Sequence, residues 1–305
     1  MVGRATTEPK DGVEPTTTPR LGQTTEQSSL LQVAAPVPQI PLTLTVPANG
    51  LTANHRSLDV AATIAAQLDI PIRVCSLVDG SPQVPARQRM LRYLTDSIPV
   101  DLTVTTTIDH GSDPTAFILD RVTDHNTLVV LSGGSTGLGL PGSITHEVLR
   151  FASAPVMFAG PLCLHWAGPV QRILVPVDGS RLAERCFPIA ASWAQATSSP
   201  VEFVTVIDPS VARTAPIVKH DVVESGFLAS VAHEFHAQYG IVTSFDVLHA
   251  RLSRRAEAIS DNAGDRPGTV VCLSSNGSAH NPHALATTTT RVVHLSPVPV
   301  IVVRS

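Results

Sequence analysis

The 305 residues include 43% hydrophobic and only 15% charged side chains, a composition able to bury a core, and the length suits about two domains of ordinary size. A formal net charge of -4, with Lys10 and Lys219 the only lysines, leaves no basic field for a nucleic-acid backbone. No apolar run approaches the roughly 20 residues of a membrane-spanning helix, and the first residues lack the charged and apolar regions of a signal peptide, so the expectation is a cytoplasmic protein without nucleic-acid or membrane partners.

Residues 1–38, rich in Thr, Pro, Gln and Glu, read as a disordered tail. Alternation over Pro41–Val46 predicts a strand, Asn49 and Gly50 a turn, and Ser57 a cap for a helix with Ala61, Ile64 and Leu68 on one face. A strand over Ile72–Leu77, a helix over Pro85–Tyr93 and a strand over Val100–Ile108 follow. The turn His110-Gly-Ser-Asp-Pro114 leads into a helix with Phe117, Ile118 and Val122 inward, and Thr127–Leu131 is a short apolar run suited to a buried strand. After Leu131 comes a glycine-dense loop holding Ser132, Gly133, Gly134, Gly137 and Gly139, then Leu140-Pro141-Gly142-Ser143 opening the periodic segment Ile144–Phe151, and a strand over Ala154–Ala159. A loop of this kind places bare backbone N–H groups at a helix N-terminus, an arrangement suited to an anion.

Pro161 and Pro169 mark residues 161–171 as a linker between a first domain, 39–160, and a second, 172–305, in which the order of elements restarts. Val175-Pro176 falls on Val46-Pro47 and Asp178 on Asn49; Thr269–Ser274 answers Thr127–Ser132; Pro297–Val303 answers Ala154–Phe158. Matched segments in one order signify internal duplication. The second half adds Leu182, Cys186, Ile189 and Trp193 on one helical face, a strand over Val201–Ile207, a long helix through Val223, Phe227, Val231 and Phe235, and a strand near Phe245–Leu248. Pro188 is tolerable there only in the first turns of its helix. Strands alternating with helices predict α/β architecture: two tandem, open, mostly parallel five-stranded sheets flanked by helices. The last strand of each half is the natural seam between them, since an apolar edge strand needs a partner.

The four cysteines form no C-x-x-C pair. The pairs His233/His236 and His280/His283 lack a third ligand nearby in sequence and read as solvated, as do Glu224 and the cluster Arg251, Arg254 and Arg255. Ser132-Gly133-Gly134 follows a fourth strand rather than a first, unlike the loop of adenylylating enzymes. No Ser-His-Asp or Cys-His set stands out.

At Ile173-Leu-Val-Pro-Val-Asp178-Gly-Ser180 followed by Ala183-Glu-Arg-Cys-Phe-Pro188, with Gly142-Ser143, Glu147-Val-Leu-Arg150 and the Pro-Val-Pro-Val last strand, the chain resembles the universal stress protein family in tandem form, with a Rossmann-like fold. The resemblance implies a non-catalytic protein of the stress response whose ligand is an adenine nucleotide, ATP, and an intramolecular pseudo-dimer; further self-association stays open. Family members hold phosphates on a glycine loop closing in Gly-Ser or Gly-Thr and the nucleoside by the Asp ending the first strand. In the first half the corresponding residues are Asn49, Ser132, Gly133, Gly134, Gly137, Gly139, Gly142 and Ser143; in the second they are Asp178, Gly277 and Thr287. The first half keeps the loop but has Asn49 for the Asp. The second keeps Asp178 but closes its loop with Ala286-Thr287. The alternative is a degenerate tandem module that binds no nucleotide and serves as an interaction or structural protein.

Overall fold

The computed structural model describes residues 40–304 apart from 49–53, 99–100, 125, 134, 137–139, 142, 165, 167, 211–216, 276, 279–280 and 286; residues 1–38, read above as a tail, lie outside the described residues. The first half runs β1 (Thr43–Pro47), α1 (Asn54–Leu68), β2 (Ile72–Val78), α2 (Val84–Thr95), β3 (Val104–His110), α3 (Pro114–Val122), β4 (Thr127–Ser132), α4 (Ser143–Phe151) and β5 (Val156–Ala159). The second repeats it as β6 (Arg172–Pro176), α5 (Phe187–Thr197), β7 (Val201–Ile207), α6 (Ile217–Tyr239), β8 (Thr243–His249), α7 (Arg255–Gly264), β9 (Thr269–Ser275), α8 (Thr287–Leu295) and β10 (Val300–Arg304).

Two local expectations change. α1 opens at Asn54, so Ser57 lies within its first turns rather than capping it. The face from Leu182 to Trp193 divides into a 3-10 turn, Ala183–Cys186, and α5, which places Pro188 in the first turn of that helix, where its missing N–H costs nothing.

All ten strands form one sheet in the order β8-β7-β6-β9-β10-β5-β4-β1-β2-β3. Each half therefore has its strands in the same internal order, third-second-first-fourth-fifth, with parallel pairing inside the half. The registers repeat as well: Thr43 faces Thr127 where Arg172 faces Thr269, and Val129 faces Val156 where Val271 faces Val300. The inner strands are buried on both faces, which is why β4 and β9 read as unbroken apolar runs rather than alternating ones.

The halves join where β5 meets β10, antiparallel, with Val156 opposite Val302, Met157 opposite Ile301 and Phe158 opposite Val300. Met157 and Ile301 are equivalent positions in the duplication, so the pseudo-twofold axis passes between them, perpendicular to the sheet. Residues 160–171 are fastened to both halves. Trp166 Nε1 donates to Thr269 O (3.2 Å), and the Gln67 amide of α1 grips Val170 twice, donating to its carbonyl (3.1 Å) and accepting from its N–H (2.7 Å). At the start of β6, buried Arg172 donates to Glu202 Oε2 (3.1 Å), Thr269 Oγ1 (3.1 Å) and Asn262 O (2.8 Å), while Arg266 donates to the same Glu202 oxygen (2.8 Å). The low-dielectric interior tolerates this charge because its hydrogen bonds are supplied.

Gly160, just beyond β5, passes so close to α8 that a Cβ there would overlap the Val293 carbonyl oxygen, backbone against backbone across the two halves. Gly160→Ala is expected to cost about 1–3 kcal/mol in urea denaturation. Gly226→Ala, in α6 with nothing near its added Cβ, is expected to leave stability unchanged or raise it by about 0.5–1 kcal/mol.

Candidate functional site

In each half the strand order reverses between the first and fourth strands, at β1/β4 and at β6/β9, and ligand crevices of open α/β sheets lie beyond the carboxyl ends at such a point. Because β5 and β10 are antiparallel, the two crevices open on opposite rims of the sheet.

At the first rim, Ser132 ends β4 and donates its hydroxyl to Ser57 Oγ of α1 (2.8 Å). The Gly133 N–H donates to Ala159 O (2.8 Å), and a Cβ at Gly133 would stand 3.2 Å from Gly160 Cα and 3.4 Å from Pro161 Cδ. Gly133 thus lets the exit of β4 lie flat against the segment leaving β5. Beyond it, Ser135–Thr136 pairs antiparallel with Leu140–Pro141, and α4 starts at Ser143. Asn49, Gly134, Gly137, Gly139 and Gly142 lie outside the described residues. α3 is fixed beside this loop helix: Asp113 caps it by accepting from Thr115 N (2.9 Å) and Ala116 N (3.0 Å), and Thr115 Oγ1 donates to Glu147 Oε2 of α4 (2.7 Å). Arg56, in the first turn of α1 at the same rim, has a buried Nε without a hydrogen-bond partner among the described residues.

At the second rim Asp178 is exposed, and its Oδ1 accepts from Ser180 N (3.1 Å) and Ser180 Oγ (2.7 Å), while Gly179 takes φ +78°, the left-handed region that favours glycine. That carboxylate closes the turn out of β6. Gly277–Ser278 pairs antiparallel with Asn281–Leu285, and α8 opens at Thr287. Both halves therefore build one device, a short antiparallel pair after the fourth strand delivering the chain to a helix N-terminus. Each device also reaches across the axis: the strand 281–285 lies by α4, and Leu140–Pro141 lies by α8.

Asp208, which follows β7, was not singled out from the sequence. It accepts from Ser210 Oγ (2.6 Å), Ser210 N (2.9 Å) and Leu252 N (2.8 Å), tying together the exits of β7 and β8. These bonds, that of the Ser210 hydroxyl foremost, hold its carboxyl below the usual aspartate range. The signal was present, since Asp208-Pro209-Ser210 repeats the spacing of Asp178-Gly179-Ser180.

His236 Nδ1 lies 2.7 Å from Ile241 O, and no group of metal-binding side chains forms among the described residues. The structure brings together two cysteines distant in sequence: Cys186 Sγ lies 3.7 Å from Cys272 O, and Cys272 Sγ lies 3.8 Å from Cys186 O. All four cysteines are free and buried. Burial pushes the Cys75 thiol up to about 11 and the Cys163 thiol up to about 12, and the hydrogen bond with Cys186, joined by burial, raises Cys272 well above the ordinary range. Such thiols stay protonated at neutral pH. Iodoacetamide at pH 8 is expected to modify the native protein about 100-fold more slowly than the urea-unfolded chain, read by intact mass.

Residues 169–304 match the model of the universal stress protein family. The solved structure of a universal stress protein from Archaeoglobus fulgidus aligns over 86% of this chain and 98% of its own, with a TM-score of 0.63 at 15% identity. A functionally unknown protein from Pseudomonas aeruginosa aligns over 87% of this chain and 93% of its own, with a TM-score of 0.57 at 15% identity. At such identities the likeness establishes the fold, and it extends across both halves. No curated protein matches the chain.

Proposed function

We propose, for a chain whose residues 169–304 match the universal stress protein family model, that the whole is a non-catalytic tandem universal stress protein of the cytoplasm, binding an adenine nucleotide, ATP, in its first half as a regulator of the stress response. The observation that carries this reading is the strand-order reversal at β1/β4, with the glycine loop rising from it and leading to α4 at Ser143. Oriented N–H groups at a helix N-terminus suit phosphate. Arg56, whose buried Nε has no hydrogen-bond partner among the described residues, brings a guanidinium to the same rim. Gly142 and Ser143 would receive the phosphates in this account, and Asn49 would offer neutral hydrogen-bonding groups toward the nucleoside.

The second half is the weaker host because Asp178 Oδ1 already accepts two hydrogen bonds from Ser180. Regulation would act through the crossing of the two devices. A ligand held on the first loop bears on α8 of the other half, beside Leu140–Pro141, and so biases the packing of both. One observation favours the alternative, a module that binds no nucleotide: Ser132, Gly133 and Asp178 all serve internal contacts.

Calorimetric titration with ATP and AMP, with and without magnesium, separates the two readings. The nucleotide reading expects saturable binding near one site per chain, abolished in Gly142→Glu. No heat and no thermal shift at millimolar nucleotide would leave the interaction module.

A further inference from the structure

The duplication puts Ser57 and Cys186 at one position of the fold. The register that sets Leu44 beside Ile72 sets Ile173 beside Val201, with the same number of residues between, so the two side chains are equivalent, and both are fully buried. By the registers of β4 and β9, Ser132 answers Ser274 and Val130 answers Cys272. In the first half a hydrogen bond from Ser132 to Ser57 fastens the start of the helix to the fourth strand. In the second half the strand-end Ser274 donates instead to the Ala183 carbonyl (3.3 Å), and the places of Ser57 and Val130 are both held by cysteine.

Cys186 ends the 3-10 turn Ala183–Cys186, and Cys272 lies within β9. Each thiol reaches the backbone of the other residue, at 3.7 and 3.8 Å, and the two thiols are hydrogen-bonded to each other. Reciprocal reach of this kind sets the two Cβ–Sγ arms side by side, the arrangement from which a disulfide closes by side-chain rotation. Cys75 has Arg121 and Asp109 as neighbours instead, and Cys163 has Arg56 and Asp59. What shuts Cys186 from solvent is a single 3-10 turn, with Arg181, Glu184 and Arg185 exposed along it. Short turns of this geometry are weakly bonded, and surface segments open locally at far less cost than the whole domain.

We propose that Cys186 and Cys272 form a reversible dithiol–disulfide site, closed by a hydroperoxide, that locks the turn after Asp178 onto β9. Opening of the turn brings Cys186 to solvent, where its thiolate attacks a peroxide oxygen. The O–O bond breaks, the departing oxygen leaves as water or alcohol with the thiol's proton, and Cys186 becomes a sulfenic acid. On reclosing, Cys272 Sγ attacks the Cys186 sulfur, the S–O bond breaks, and the hydroxyl leaves as water with the Cys272 proton. Two thiols have lost two electrons and the peroxide has gained them; a dithiol reductant reverses the change. In a reducing compartment the pair rests as thiols and links only when peroxide is present. The site does not depend on the nucleotide reading.

The test is treatment of the folded full chain with millimolar hydrogen peroxide, read by intact mass and by digestion without reduction. The expected result is a loss of about 2 Da, one link joining the peptides of Cys186 and Cys272, and return of the parent mass with dithiothreitol. Hydrogen exchange of amides 183–186 should slow about tenfold in the linked form. Cys186→Ser and Cys272→Val take the residues of the first half, so both should fold and neither should lose mass. Ser274→Ala frees the Ala183 carbonyl and should speed linkage about fivefold. An unchanged mass where the urea-unfolded chain is oxidised, a link through Cys75 or Cys163, oxygen retained on Cys186 in place of the link, or exchange unchanged by linkage would overturn the proposal.

Discussion

An antiparallel pairing of two short apolar strands, β5 and β10, buried along the stretch where they meet, governs the rest of the structure. Val156, Met157, Phe158, Val300, Ile301 and Val302 are all at most 4% exposed, and an isolated half would leave one such strand as a bare apolar edge. Joining them turns two five-stranded sheets into one of ten strands, whose edges among the described residues are β3 and β8. The antiparallel sense also sends the two switch points to opposite rims, and it brings each loop device within reach of the other half's helix. Gly160 and the Gln67–Val170 clamp then hold the crossing segment close to both halves.

Much of this architecture was legible in the sequence because duplication imposes the same physical demands twice. The segments Val46-Pro47 and Val175-Pro176, and the two threonine-led apolar strands, were matched by residue type alone, and the structure places Thr43/Thr127 and Arg172/Thr269 in equivalent registers. The seam was readable for a related reason, since an apolar strand at the end of a parallel sheet has an unpaired side to cover. What stayed hidden depends on tertiary proximity. Cys186 and Cys272 meet because the turn before α5 sits against β9, and no spacing rule encodes that contact. Ser57 reads as a cap by residue type, yet α1 begins earlier and the hydroxyl accepts a part-buried bond from Ser132. Arg172, the first residue of a buried strand, becomes intelligible only once Glu202, Thr269 and Asn262 surround it.

The candidate site shows how duplicated frameworks part company. Both rims keep the same backbone device, and the side chains at them have diverged: the second half uses its Asp178 carboxylate to close a turn, while the first half retains the glycine-rich loop and an Arg56 Nε that has no partner among the described residues. Backbone geometry set by sheet topology is preserved by packing on every side, whereas residues beyond the strand ends are constrained only by what they bind and by local turns. Divergence therefore collects at the rims.

The central claim is that the halves meet through β5 and β10 about an axis between Met157 and Ile301. Cross-strand nuclear Overhauser effects in the full chain test it most directly. The account predicts contacts between Met157 and Ile301 side chains, flanked by Val156 with Val302 and Phe158 with Val300. Contacts displaced by two residues, or absent while those between β4 and β5 are seen, would contradict it.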